Sequence, residues 1–154
     1  MPAARSAPVA PLSKVDFEAL ADFRYQLRQF LSFSEKAAHE AGITPRQHQA
    51  LLAIKGFPGR DHVSIGELAE QLQIAHHSAV ELTDRLVGHN LVTRRSSTED
   101  RRSVFLRVTK KGENLLAKLS LAHRAEIQRM GPALQQLLDR IDRESGNSRT
   151  DQAK

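Results

Sequence analysis

The stretch from Ser64 to Val108 constrains this chain more than any other, because its apolar spacing switches period within one continuous segment. Ser64-Ile65-Gly66-Glu67 has the residues of a capping box, a hydroxyl that takes the N–H three positions on and a carboxylate that reaches back. The helix it opens carries Ile65, Leu68, Ala69 and Leu72 on one face. After a break at Gln73-Ile74-Ala75, Ala79, Leu82, Leu86 and Val87 mark the buried edge of a second helix that ends near Gly88-His89-Asn90. The spacing then alternates. Leu91–Arg95 and Val104–Val108 read as strands, with Val104, Leu106 and Val108 on one face and Phe105 and Arg107 on the other. The polar link from Ser96 to Ser103 is the hairpin tip.

Two short helices across a tight turn are the helix-turn-helix signature. Followed at once by a cationic hairpin, they make a winged helix, which can offer a helix to a major groove and a loop to the DNA backbone or minor groove. The charge pattern agrees. From Asp84 to Lys111 run eight cations (Arg85, Arg94, Arg95, Arg101, Arg102, Arg107, Lys110, Lys111) against three anions, and this stretch holds the whole net charge of +5. Such segregation is either a footprint for a polyanion or a solvated basic face.

The flanks supply the rest of the fold. Phe17, Leu20, Phe23, Leu27, Phe30 and Leu31 recur three and four apart on a helix over about 13–41, with Gly42 just past its end. Thr44-Pro45-Arg46-Gln47 restarts the chain, with Thr44 as N-cap and Pro45 at the first helical position. This helix carries Leu51, Leu52 and Ile54 and ends at Lys55-Gly56. Beyond the hairpin, Thr109-Lys110-Lys111-Gly112 opens a long helix that Gly131-Pro132 interrupts, and Leu134, Leu137, Leu138 and Ile141 mark a final one. The chain therefore reads as mostly α with a small β wing. Its expected parts are disordered tails at 1–11 and 144–154, dimerisation helices at 12–42 and 113–143, and a winged helix-turn-helix at 43–112. One small winged helix cannot hide the stripes of the terminal helices, with Phe17, Leu20, Leu134, Leu138 and Ile141 among them, so a second copy is the expected partner. A twofold pair would set two recognition helices roughly 34–36 Å apart.

Several function classes drop out. With no cysteine the chain has no disulfide, thiolate zinc site or cysteine nucleophile. There is no G-x-S-x-G, phosphate-binding glycine loop or His-Glu-x-x-His, so neither an enzyme nor a metal or cofactor site is expected. The apolar runs are far shorter than a membrane span needs and the first eleven residues hold three prolines, so a cytoplasmic, nucleoid-associated protein is expected rather than a membrane one.

Leu68-Ala69-x-Gln71-Leu72, then Asp84-Arg85-Leu86, Leu91-Val92, Asp100-Arg101-Arg102 and Val108-Thr109-Lys110-Lys111-Gly112, in that order, resemble the MarR family of bacterial transcription regulators over about 13–142. The resemblance implies an obligate dimer with an intertwined helical base and two winged-helix lobes. It also implies binding to a pseudo-palindromic operator, as a repressor or activator relieved by a small aromatic or anionic effector. The alternative is a winged-helix interaction module that binds protein rather than DNA. The family's wing motif falls on Asp100 and Arg102, which with a helix Asp/Arg pair, here Asp84-Arg85, would tie the wing to the helix. The chain departs from the family at Ala75 and His76-His77, where small capping residues are usual. Ser78-Ala79-Val80-Glu81 could instead cap a helix starting three residues later.

With Ala79, Leu82 and Leu86 turned inward, His76, His77, Ser78, Glu81 and Arg85 face outward as the expected base-reading surface, or else form a solvated helix start. Arg94, Arg95, Arg101 and Arg102 supply the wing's charge, and Ser64 offers a helix start to a phosphate. The resemblance puts an effector pocket near the second helix, where Phe30, Phe33, Arg46, His48 and Leu52 are candidate lining; the competing reading is plain core plus a surface arginine.

Overall fold

The computed structural model describes residues 12–97 and 103–150, with side chains as far as 143. In chain order the elements are α1 (Lys14–Glu40), α2 (Pro45–Lys55), β1 (His62–Ser64), α3 (Ile65–Leu72), α4 (His76–Gly88), β2 (Val92–Ser96), β3 (Val104–Val108) and α5 (Lys110–Thr150). They form two compact units, residues through Leu31 with those from Glu126, and Ser32–Ala125. The fold is mostly helical with a small antiparallel sheet, as the sequence predicts.

Local chemistry fixes most helix ends in Ser32–Ala125. Thr44 Oγ1 accepts from Gln47 N at 3.1 Å while Gln47 Oε1 takes Thr44 N at 2.9 Å, the reciprocal box that starts α2. Ser64 and Glu67 do the same for α3. Arg60 adds an ion pair to Glu67 and lies 4.5 Å from the centroid of the Phe57 ring. The Ser64 backbone N–H and Arg60 together hold the Glu67 carboxyl below its ordinary value. At the end of α1, Gly42 takes φ +82, a left-handed conformation that lets Ile43 N reach Ala38 O at 3.1 Å.

The sheet order is β1-β3-β2. Sequence alternation anticipates β2 and β3 but not β1, whose three residues pair Val63 with Leu106. Val63, Val92 and Leu106 turn to the core with Leu51, Ile54, Leu68 and Leu86, all nearly free of solvent. Burying each such aliphatic side chain stabilises the fold by about 1.5–3 kcal/mol. Thr83 is buried among them, and its hydroxyl donates to Ala79 O at 2.7 Å.

A histidine pair lies where α1, α2 and α5 meet inside this unit. His48 is 4% exposed, and its ring centroid is 4.7 Å from that of His123, which Phe33 meets edge-on at 5.3 Å. His123 Nδ1 donates to Leu119 O at 2.7 Å, since a carbonyl only accepts, which leaves Nε2 facing Ser34 Oγ at 2.8 Å. Burial, and secondarily the neighbouring imidazole, hold His48 below the ordinary histidine value. The folded chain thus favours neutral His48 more than the unfolded chain does. Its stabilising contribution is complete above the unfolded value of about 6.5 and is lost as pH falls from there through the lowered folded value. Between pH 7.5 and 5.5 the urea midpoint of the native chain is expected to fall further than that of His48→Gln. Equal losses would refute the assignment.

In the other unit, Leu137 and Ala19 are buried and Arg140 reaches Asp22 at 3.2 Å. Here α5 continues through Gly131-Pro132, which the sequence reading takes as a break, and runs to Thr150 rather than stopping at residue 143. Residues 144–150 are therefore helical backbone, not the frayed end expected. Pro132 removes one intrahelical donor, but the residues on either side continue the helix. No helix among the described residues is long and apolar enough to cross a membrane.

Candidate nucleic-acid interface

The turn before α4 is built by Gln73, which takes φ 52 as its N–H closes on Glu70 O at 3.1 Å and Ile74 N reaches Ala69 O at 3.0 Å. The helix then starts at His76, not at Ser78. Its N-cap, Ala75, is extended (φ −64, ψ 150) and has no side chain that can bond the first turn. Such a start forgoes about 1 kcal/mol relative to a capped one. Ala79 N closes on Ala75 O at 3.1 Å, so the N–H groups of His76, His77 and Ser78 ahead of it have no intrahelical acceptor.

Burial along α4 follows the sequence expectation. Ala79, Leu82, Thr83 and Leu86 are inward, His76, His77, Glu81 and Arg85 are exposed, and Ser78 is half-buried. Among the described residues no ion pair or side-chain hydrogen bond engages His76, His77, Glu81 or Arg85. The outer side of α4 borders an open cleft of about 430 Å³, whose other wall is the start of α2 with Thr44 and Arg46.

Arg94 of β2 ties the base of the wing to α4. Asp84 pairs with Arg94 of β2 at 2.5 Å, and Arg94 shares the strand face of its register partner Leu106. Asp100, Arg101 and Arg102 lie outside the described residues. Arg95 stands on the opposite face of β2, paired in register with Phe105, and is exposed. Further along that face Arg107 is held by Asp61 at 3.1 Å, Asp61 by Lys55 at 3.9 Å, and Lys55 by Glu113 at 2.5 Å. This chain of pairs links the sheet to the ends of α2 and α5. Asp61 carries no sequence signal, because its arginine is 46 positions away.

Ser64 Oγ and N–H are both engaged with Glu67 in the capping box that opens α3. The five expected pocket residues take different places in the fold. Phe33 and His48 meet through His123. Leu52 is half exposed, Arg46 borders the cleft on α4, and Phe30 lines an apolar groove of about 230 Å³ in the other unit with Phe23, Leu27 and Leu134. No group of three or more His, Cys, Asp or Glu side chains able to hold a metal ion occurs among the described residues.

Comparison with known proteins bears on this geometry. A model of the MarR family matches residues 41–103, from the end of α1 into the hairpin tip. Residues 41–103 are a winged helix of MarR type. The chain is 28% identical over 78 residues, 51% of its length and 48% of the relative's, to the HTH-type transcriptional repressor MdtR of Bacillus subtilis. The chain spans 46% to 63% of the length of the curated relatives it matches. In fold it is like AbsC, a MarR family transcriptional regulator from Streptomyces coelicolor, with TM-score 0.68 and 19% identity over 95% of this chain and 100% of that one. It is also like a mutant MarR from E. coli complexed with operator DNA, with TM-score 0.61 and 18% identity over 86% of this chain and 99% of that one. At such identities these two likenesses speak to the MarR fold alone.

Proposed function

We propose that this chain is a sequence-specific DNA-binding transcriptional regulator, a repressor that grips a pseudo-palindromic operator as a homodimer and is released by a small aromatic or anionic effector. The observation that carries the reading is α4 itself, with its uncapped first turn and with His76, His77, Glu81 and Arg85 exposed and without side-chain partners among the described residues, beside a basic hairpin. Imidazole and guanidinium can bond base edges, while open N–H groups at a helix start donate to a phosphate. The E. coli MarR in complex with operator DNA supports this use of the fold, and the repressor MdtR supports the sign of regulation.

The dimer is supported by apolar surface that one copy leaves open. Phe17, Leu20, Leu138 and Ile141 are 38% to 55% exposed, and Leu134 is half-buried. A second copy of the same surface would cover them.

Selection from a random 30-bp duplex library tests the reading. The expected product is an inverted repeat whose half-sites lie about 10–10.5 bp apart, one helical turn. Failure to enrich any sequence overturns it. Against the selected operator, His77→Ala is expected to change the preference at one base pair per half-site by about 1–3 kcal/mol. A uniform loss on every duplex would remove His77 from base reading.

A further inference from the structure

We infer that Arg46, at the start of α2, is a third DNA-contacting element, gripping a backbone phosphate beside the recognition helix rather than lining an effector pocket. The inference rests on the regulator reading above and extends it to a residue outside α4 and the wing.

Helix geometry separates Arg46 from the buried histidine with which the sequence reading groups it. Two positions along an α-helix turn the side chain through about 200°. Gln47 and His48 are accordingly 6% and 4% exposed, while Arg46 points to solvent. There it forms one wall of the cleft whose other wall is Ser78, Glu81 and Arg85, spaced at helical intervals along the outward side of α4. A duplex seated on α4 has its backbone at the rim of that same side. Pro45 at the first helical position and the Thr44–Gln47 box fix the backbone beneath Arg46, so its guanidinium is offered from a rigid base.

The charges around the cleft agree. Arg46 and Arg85 face it with Glu81 as the one carboxylate, and among the described residues neither arginine has an ion-pair partner. A phosphate oxygen satisfies a guanidinium's forked donors without displacing an existing pair. An organic effector needs a site that encloses most of its surface, whereas this cleft is open to solvent.

The test uses the selected operator and a duplex of equal length with scrambled half-sites, titrated by fluorescence anisotropy at several salt concentrations. Each phosphate contact adds about 0.9 to the log–log salt slope, so the two symmetry-related contacts of a dimer add about 1.8. Arg46→Gln is expected to flatten the slope by that amount and to weaken binding about sixty-fold at 0.1 M salt, by the same factor on both duplexes. Arg46→Lys keeps the charge and is expected to keep most of the slope, which also separates loss of contact from loss of fold. An Arg46→Gln protein with native slope and affinity overturns the contact, as does a loss confined to the operator or a lysine variant no better than glutamine. If the native chain enriches no duplex, the regulator reading fails first and takes this contact with it. If the native chain binds and Arg46→Gln binds alike, only the contact fails.

Discussion

Gly112→Ala is expected to lower the stability of the winged-helix unit by about 3 kcal/mol, read as a fall in urea midpoint at unchanged slope. Helix propensity alone predicts the opposite sign, because alanine in a helix is favoured over glycine by about 0.8–1 kcal/mol. Space decides the matter. A Cβ at Gly112 would sit 2.4 Å from Leu91 O and 2.7 Å from Val108 Cγ1. Leu91 O cannot retreat freely, since it accepts Thr109 N at 3.0 Å, and the Thr109 hydroxyl in turn donates to Asn90 O at 2.6 Å while accepting Gly112 N at 3.1 Å. These bonds clamp the start of α5 to the start of the hairpin, and only a residue without a side chain allows so close a crossing. Gly88→Ala, whose Cβ would meet nothing within 4 Å, is the control, expected to change stability by less than about 1 kcal/mol. A stabilised Gly112→Ala protein would mean that the crossing is looser than described. Because the same crossing carries the wing, the variant is also expected to bind operator more weakly than its residual fold accounts for.

What the sequence disclosed, and what it hid, follows from the range of the interactions. The boxes at Thr44–Gln47 and Ser64–Glu67 involve groups three residues apart, so local order reveals them fully. The faces of α4 and β3 follow from 3.6- and 2-residue periods that burial enforces. Strand β1 is too short to show a period and exists because Val63 meets Leu106, 43 positions later. Asp84 meets Arg94, ten positions on, across the packing of α4 on β2, a pairing that sequence order alone does not disclose. Pro132 has a strong local meaning as a breaker, and surrounding helix overrides it. Arg46 and His48 look like neighbours in the sequence and face opposite ways in the fold. The motif that names the family gives the architecture; which arginine does what depends on geometry that no motif encodes.

The arginines of the wing are where the largest change in DNA affinity is expected. Arg94 is occupied by Asp84 and Arg107 by Asp61, which leaves Arg95 as the exposed cation of β2 with no ion-pair partner among the described residues, on the face it shares with Phe105. Arg101, in the hairpin tip outside the described residues, is its proposed companion. The double variant Arg95→Ala, Arg101→Ala removes two phosphate contacts per subunit and four per dimer. At about 0.9 per contact the salt slope is expected to flatten by roughly 3.6, and affinity at 0.1 M salt to fall by roughly three and a half orders of magnitude. The loss is expected on operator and scrambled duplex alike, since phosphates carry no sequence information. Arg94→Ala is the contrasting variant. It breaks a solvent-exposed pair worth under about 1 kcal/mol and removes no free cation, so the salt slope is expected to stay near the native value. If Arg94→Ala flattens the slope while the double variant does not, the two faces of the strand have exchanged roles and the Asp84 tie is not what orients the wing. A slope unchanged in both would take the wing off the duplex altogether, and the operator would then have to be held by α4, with the open N–H groups at its start, Arg85 and Arg46 of α2 as phosphate contacts.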